Sequence, residues 1–289
     1  MDSNLRTPLL HAITVDVEEY FHTEAASSAI AFDHWSTLPS RVQASTDTLL
    51  ELFAAHGVKG TFFVLGWVAE RHPALLRTIA NAGHELACHS YRHRAVFRLS
   101  AHEFAEDTHR AKSAIEDASG KRVIGYRAPS FSITPGTEWA FDELAELGFL
   151  YDSSVHPIAH DFYSNTAASR DPHRLRNGLL EIPISTARVF GKNLPIAGGG
   201  YLRMLPFWYS KWGLTLRMRQ APHIPIVLYM HPWEIDPEQP RLALSGRSRF
   251  RQYTNLRSMR TKIERLMQSM RFTSVEESFR RWIYPSPRA

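Results

Sequence analysis

Two histidines four residues apart, in His89-Ser90-Tyr91-Arg92-His93, can turn their imidazoles toward one point. Far upstream, Asp16-Val17-Glu18-Glu19 puts three carboxylates into four residues. Two imidazoles and one carboxylate around a divalent ion leave coordination positions open for water and a substrate. That is the layout of a catalytic centre rather than of a closed structural one. Along an extended chain Asp16 and Glu18 share one side, while Val17 and Glu19 take the other. Glu18 is therefore the first expectation for the ligand, Asp16 its partner, and Glu19 the reserve; a solvated acidic turn is the competing reading.

The elements that would position these groups read as alternating strands and helices. Ala12 to Val17 is a short β-branched run that ends in acid and reads as a first buried strand. Apolar residues at helical spacing occupy residues 39–56, stopped by Gly57, and residues 59–65 follow as a second strand. Pro73 opens a helix that closes at Gly83, and His84 to Cys88 delivers His89 at a strand end. Ser100 and Glu103 form a capping box for a helix running to Gly120. Residues 123–126 are a fourth strand, ending on Arg127-Ala128-Pro129-Ser130-Phe131, where an arginine can hold a carboxylate by forked bonds. A helix is expected from Thr134 to Gly148, then a strand ending in Asp152. Residues 156–176 read as an irregular surface excursion. Residues 179–184 form a strand, Gly198-Gly199-Gly200 a flexible turn with close backbone approach, and residues 206–219 a helix. The last strand ends on His231-Pro232-Trp233-Glu234. This is the pattern of a parallel sheet, whose active sites collect where strands end. Asp16, His89, Arg127, Asp152 and His231 all stand at such ends.

The totals narrow the class. The 289 residues, 44% of them apolar, can bury a full core. Cys88 is the one cysteine, which removes an internal disulfide and a cysteine-rich zinc site. The N-terminus lacks a basic start followed by a long apolar stretch, and no run approaches a membrane span of about 18 apolar residues. A cytoplasmic protein, peripheral to the inner membrane at most, is the expectation. Residues 241–289 carry 12 Lys and Arg against 3 Asp and Glu, whereas residues 1–240 carry 22 against 26. A basic end of this kind faces anionic lipid, an acidic polysaccharide or plain solvent; without aromatic-rich RNA signatures or a zinc finger, nucleic acid is not expected.

With these residues in view, the chain resembles the polysaccharide deacetylases of carbohydrate esterase family four, the NodB-homology group. The resemblance spans Ile13 to about Glu234. Thr14-Val15-Asp16-Val17-Glu18 stands where that family has T-F-D-D-G, so Asp16 matches the catalytic base. The second Asp, a metal ligand, is replaced by Val17, and Glu18 inherits its role. The motif H-S/T-x-x-H is matched at His89 and His93, R-x-P at Arg127-Ala128-Pro129, and L-x-x-H at Leu228-Tyr229-Met230-His231, which makes His231 the proton donor. Tyr151-Asp152-Ser153-Ser154 fills the place of the loosest motif, and Asp152 carries over from it. More narrowly, Val15 to Phe21, His231 to Glu234 and Phe250 to Leu256 resemble the deacetylases associated with the exosortase/PEP-CTERM system, found near exopolysaccharide gene clusters.

The resemblance implies a bacterial α/β enzyme with a distorted (β/α) barrel over residues 1–236. It also implies a basic C-terminal extension, residues 237–289, packed on or beside that barrel. One divalent ion, zinc first and iron, cobalt, manganese or nickel as alternatives, would sit on Glu18, His89 and His93. It would ready water for attack on an N-acetyl group of an N-acetylhexosamine glycan or its lipid-linked precursor. Asp16 would act as base under Arg127, His231 as acid under Asp152, and a backbone N–H near Ser130 would steady the oxyanion. Tyr20, Phe21, Phe131 and Trp233 are candidates to stack on sugar faces. Two rivals stand beside this reading: an amidohydrolase of small cyclic amides or imides, and an inactive carbohydrate-binding relative. In the tail, Leu256, Met259, Ile263, Leu266, Met267 and Met270 fall on one helical stripe with arginines around it. That helix either packs on the barrel or lies on an anionic membrane.

Overall fold

All seven residues of the first strand, β1 (His11–Val17), are buried. A strand covered on both faces belongs in a parallel sheet with helices outside and a filled interior. The computed structural model describes residues 9–285 apart from Ser28 and Phe162, and shows that sheet. After β1 come α1 (Glu24–Ser27) and α2 (Val42–Ala55), then β2 (Thr61–Val64), α3 (Gly66–Arg71) and α4 (Pro73–Asn81). β3 (Glu85–Cys88) leads to α5 (Ala101–Ser119), β4 (Gly125–Tyr126), α6 (Ala140–Glu146) and β5 (Tyr151–Asp152). Then follow β6 (His173–Arg174), β7 (Leu180–Glu181) and a hairpin of β8 (Thr186–Val189) and β9 (Lys192–Pro195). Next are α7 (Gly199–Met204), α8 (Phe207–Gln220) and β10 (Val227–Met230). The chain finishes with α9 (Gly246–Tyr253), α10 (Leu256–Ser269), β11 (Phe272–Thr273), α11 (Val275–Ser278) and α12 (Arg280–Ile283).

Among the described residues the main sheet runs β10-β1-β2-β3-β4-β5-β7-β6, with β11 also beside β1, and every pair except β6 with β7 is parallel. The sheet curls into a distorted (β/α) barrel that irregular chain closes. At the seam the Ser185 N–H donates to Val227 O (3.4 Å) and the Tyr229 N–H to Ala197 O (2.9 Å). The capping box at Ser100 and Glu103 starts α5, and Gly120, at φ 67°, stops it.

Several expectations need correction. The helix expected from Thr134 begins at Ala140, because the Thr137 hydroxyl accepts from the Thr134 N–H and donates to nearby carbonyls, holding a turn there. Residues 156–176 are irregular, yet His156, Ile158 and Tyr163 are buried, so this stretch packs inward as well as covering surface. The three glycines at 198–200 open α7 instead of a flexible turn. Their close approach is real: a Cβ on Gly198 would stand 2.6 Å from the Tyr229 ring, and one on Gly199 1.8 Å from the Glu234 carboxylate.

Residues beyond 236 contribute to the sheet itself, since β11 pairs with His11 and Ala12 of β1. On α10, Leu256, Met259, Ile263, Leu266 and Met267 are buried, each worth about 1.5–3 kcal/mol on leaving water. Lys262 donates to the carbonyls of Leu202, Arg203 and Leu205, capping α7. The apolar stripe of α10 is thus packed on the barrel and does not face outward.

Candidate active site

Asp16 is the sixth residue of β1 and is 2% exposed. Its Oδ1 accepts from Arg127 Nη1 at 2.6 Å. Arg127, itself fully buried, also donates to Thr14 Oγ1 (2.7 Å), Ser153 O (3.2 Å) and Ser153 Oγ (3.1 Å), and lies 4.1 Å over the Phe63 ring. A guanidinium fixed on so many sides orients the carboxylate. The free oxygen, Oδ2, faces His231 Nε2 at 3.9 Å.

Just past the strand end, Glu18 enters the same space while Glu19 turns away. The Glu19 carboxylate accepts from the Arg41 N–H at 2.9 and 3.1 Å, ahead of α2, which removes it as the reserve ligand. Glu18 Oε1 accepts from the Trp233 indole N–H at 3.0 Å. Its Oε2 is 2.9 Å from His93 Nε2 but buried without an aligned hydrogen bond. One ligand atom each from Glu18, His89 and His93 lies within 4.8 Å of the others.

The two histidines converge through a turn rather than a helix. Ser90 (φ 66°) and His93 (φ 51°) are left-handed, and Ser90 Oγ accepts from the His93 N–H at 3.1 Å. Asp107 of α5 anchors this turn through the Tyr91 N–H (2.7 Å). His89 Nδ1 is 2.7 Å from Arg127 O, an acceptor, so Nδ1 carries the proton and Nε2 keeps its lone pair. Burial lowers the His89 pKa to about 4 and keeps the ring neutral, as a metal ligand must be. Burial raises the Glu18 carboxyl, but His93, His231 and His89 outweigh it and hold it well below the usual range. A dry carboxylate oxygen left unbonded between two imidazoles fits a divalent cation, and nitrogen with oxygen donors suits zinc and its neighbours.

His231 follows β10 directly. Its Nε2 is 3.6 Å from Glu18 Oε1, and its Nδ1 is 3.1 Å from Glu234 Oε2. Glu234 also accepts from the His231 backbone N–H (3.1 Å) and, through Oε1, from buried Arg203 Nε (3.1 Å). Arg203 donates onward to the carbonyls of Arg251 and Thr254 at the end of α9. Burial lowers the His231 pKa, but Glu18, Glu234 and Asp16 together raise it to about 9. Glu234 therefore occupies the place at His231 that was expected of Asp152. Asp152 is fully buried, accepts from Ser154 Oγ (2.6 Å) and Ser154 N (2.9 Å), and lies beside Glu181 of β7. Neither Glu234 nor Arg203 stood out in sequence; the separation of three residues between His231 and Glu234 was the available signal.

Asp16, Glu18, His89, His93 and His231 line a cleft of about 560 Å³, within the range of small-molecule sites. Phe131, Tyr163 and Trp233 supply aromatic wall, Ser130 joins them, and Ser248 and Arg251 of α9 close one side. Trp233 stacks on His231 with centroids 5.2 Å apart. Ser130 (φ 52°) and Phe131 (φ 51°) are both left-handed, which bends the chain after Pro129 into the cleft. Tyr20 and Phe21 do not reach it. Both are core residues, 0% and 1% exposed, packed edge to face, and the Tyr20 carbonyl instead holds Gln252 of α9 (3.0 Å).

The polysaccharide deacetylase family model matches residues 22–149, which include His89, His93 and Arg127. The chain carries a polysaccharide deacetylase domain. A second model, described as a domain of unknown function (DUF3473), matches residues 153–280. His231, Trp233, Glu234 and the α9 wall all fall in that second stretch, so residues of both stretches build the one cleft. Among curated proteins, a peptidoglycan deacetylase-like protein of Gibberella zeae is 31% identical over 37% of this chain and 31% of its own length. A peptidoglycan-N-acetylglucosamine deacetylase of Bacillus cereus is 32% identical over 31% of this chain and 30% of its own. The match thus spans about a third of these relatives. A crystal structure of a candidate polysaccharide deacetylase from Mycobacterium smegmatis has the same fold. Its TM-score is 0.63 at 22% identity, covering 98% of this chain and 97% of that one.

Proposed function

We propose that this chain hydrolyses N-acetyl groups from an N-acetylhexosamine-containing glycan. The observation that carries the reading is the meeting in one cleft of an arginine-held carboxylate, a Glu-His-His donor set and a carboxylate-held histidine. A divalent cation on Glu18, His89 and His93 would supply Lewis acidity to water and to the amide carbonyl.

The chain's own residues do the rest. Asp16, aimed by Arg127, takes a proton from the attacking water at Oδ2. His231 gives its Nε2 proton to the departing nitrogen as the amide C–N bond breaks, leaving acetate and an amine. Each transfer is worth roughly 10²–10⁴-fold. Glu234 keeps the proton on Nδ1 and the ring turned so that Nε2 faces the cleft. Phe131, Tyr163 and Trp233 give the cleft an aromatic wall, which favours a glycan over a small cyclic imide. The named activities of the curated relatives point to peptidoglycan among the candidate glycans; an exopolysaccharide or its lipid-linked precursor is the narrower expectation.

Acetate release is the test. Purified protein is given chitooligosaccharides, peptidoglycan, acetylated exopolysaccharide and cyclic imides, with and without a chelator. Release from a glycan that stops with chelator and returns with zinc, cobalt or manganese supports the reading. Turnover of imides alone, or none of any substrate by metal-replete protein, would overturn it.

A further inference from the structure

Helix α8 carries large apolar side chains on its outer side as well as apolar residues on its inner one, which is unusual for a helix on the outside of a barrel. Inward it places Ser210, Gly213 and Leu214, with Gly213 so close to Ile196 that a Cβ would stand 2.3 Å away. Outward, at helical spacing, it shows Trp208, Lys211, Trp212 and Arg219, all exposed. The indoles of Trp208 and Trp212 are 67% and 43% exposed. Two large aromatic faces turned to water cost free energy unless something covers them.

Charge narrows what that can be. Between Glu181 and Glu234 the sequence has no Asp or Glu and has six Lys and Arg. Beside α8, helix α10 turns Arg257, Arg260 and Arg265 outward, Arg260 paired with Glu264 (3.2 Å), and the Arg265 guanidinium lies 4.0 Å over the Phe207 ring at the start of α8. Indoles among cations, with no carboxylate in the intervening chain, match the headgroup layer of an anionic bilayer, where tryptophan settles at the interface and each Lys or Arg adds about 1 kcal/mol. A neutral glycan would take the indoles but gain nothing from the cations.

The face also has a position. The last turn of α8 lies by the start of β1, where Met218 and Ala221 share a groove with Leu9 and His11, so its first two turns lie toward the barrel end where His231 stands. In agreement, Tyr209 Oη donates to Pro195 O (3.2 Å), two residues before Ala197, which pairs with Tyr229 of β10.

We propose that the outward face of α8, continued by the arginines of α10, docks on an anionic lipid surface and sets the cleft beside it. The apolar contact comes from Trp208 and Trp212, because the apolar stripe of α10 is already used in the core. This binding does not depend on the chemistry in the cleft.

Flotation of the full chain tests it, using vesicles of phosphatidylcholine with or without about a third phosphatidylglycerol. The chain should float with the anionic vesicles, be released by high salt, and show indole quenching by brominated acyl chains. A Trp208→Ser/Trp212→Ser double variant should bind about tenfold more weakly or worse, and Lys211→Glu should weaken binding to anionic vesicles specifically. Both should keep the parent circular dichroism and hydrolysis of a soluble oligosaccharide. Absence of flotation, or a double variant that floats like the parent, would overturn the proposal. So would self-association or polysaccharide retention that needs the two tryptophans while vesicles are ignored.

Discussion

Asp16 and Glu18 stand two residues apart and receive different duties from different neighbours. Asp16 is gripped by Arg127, whereas Glu18 has one oxygen on an indole N–H and one facing His93 without a bond. Asp16→Asn keeps an acceptor for Arg127 but cannot take a proton. Acetate release should fall about 10²–10⁴-fold, with the fold retained by circular dichroism and only a small drop in melting temperature. Glu234→Gln weakens the hold on His231 Nδ1 and should act selectively. Amide hydrolysis drops, while an aryl acetate, whose leaving group needs no proton, is largely spared. Equal losses on both substrates would remove Glu234 from the positioning role.

At the level of elements, α7 owes its start to glycine for a steric reason. With Gly199→Ala the new methyl would stand 1.8 Å from Glu234 Oε2, so the carboxylate must leave His231 or the helix must shift. The variant should reproduce the amide-selective loss of Glu234→Gln and lose about 1–3 kcal/mol of stability, read from urea melts. On β5 and β7, Asp152 and Glu181 share a buried site, and burial first, then their mutual repulsion, pushes Glu181 well above the usual carboxylate range. A raised pKa means the folded state keeps a proton that the unfolded chain releases. Stability from this group is therefore full below about 4.5, the ordinary Glu value, and declines as pH rises toward the folded value. In Glu181→Gln, which stays neutral, this decline of about 1.4 kcal/mol per pH unit should vanish. A variant and parent with the same pH dependence above 5 would refute the shared proton.

Across the whole molecule, the C-terminal residues are part of the barrel's construction. β11 covers an edge of β1, α10 buries five apolar side chains, and α9 supplies Ser248 and Arg251 to the cleft. Arg203 ties the end of α9 to the carboxylate that holds His231. A chain ended after Asp236 should be insoluble or lack near-ultraviolet dichroism, because it exposes a strand edge and a core face together. A soluble, active 1–236 fragment would show that the extension is separable.

Much of the fold and half of the site were legible in the residues because their causes are local. β-branched runs make strands, Ser100 with Glu103 caps a helix, and a strand's carboxyl end delivers the next polar side chain to one side of the barrel. That logic brings Asp16, His89 and His231 to the lining of one cleft, with Arg127 buried behind Asp16. Tertiary structure alone decided the partners. Tyr20 and Phe21 look like sugar platforms in one dimension but meet each other in the core, and Asp152 loses His231 to Glu234. Likewise, the outward turn of Trp208 and Trp212 depends on which face of α8 the barrel takes. Such outcomes rest on distances between residues up to two hundred positions apart, and spacing along the chain carries no record of those distances.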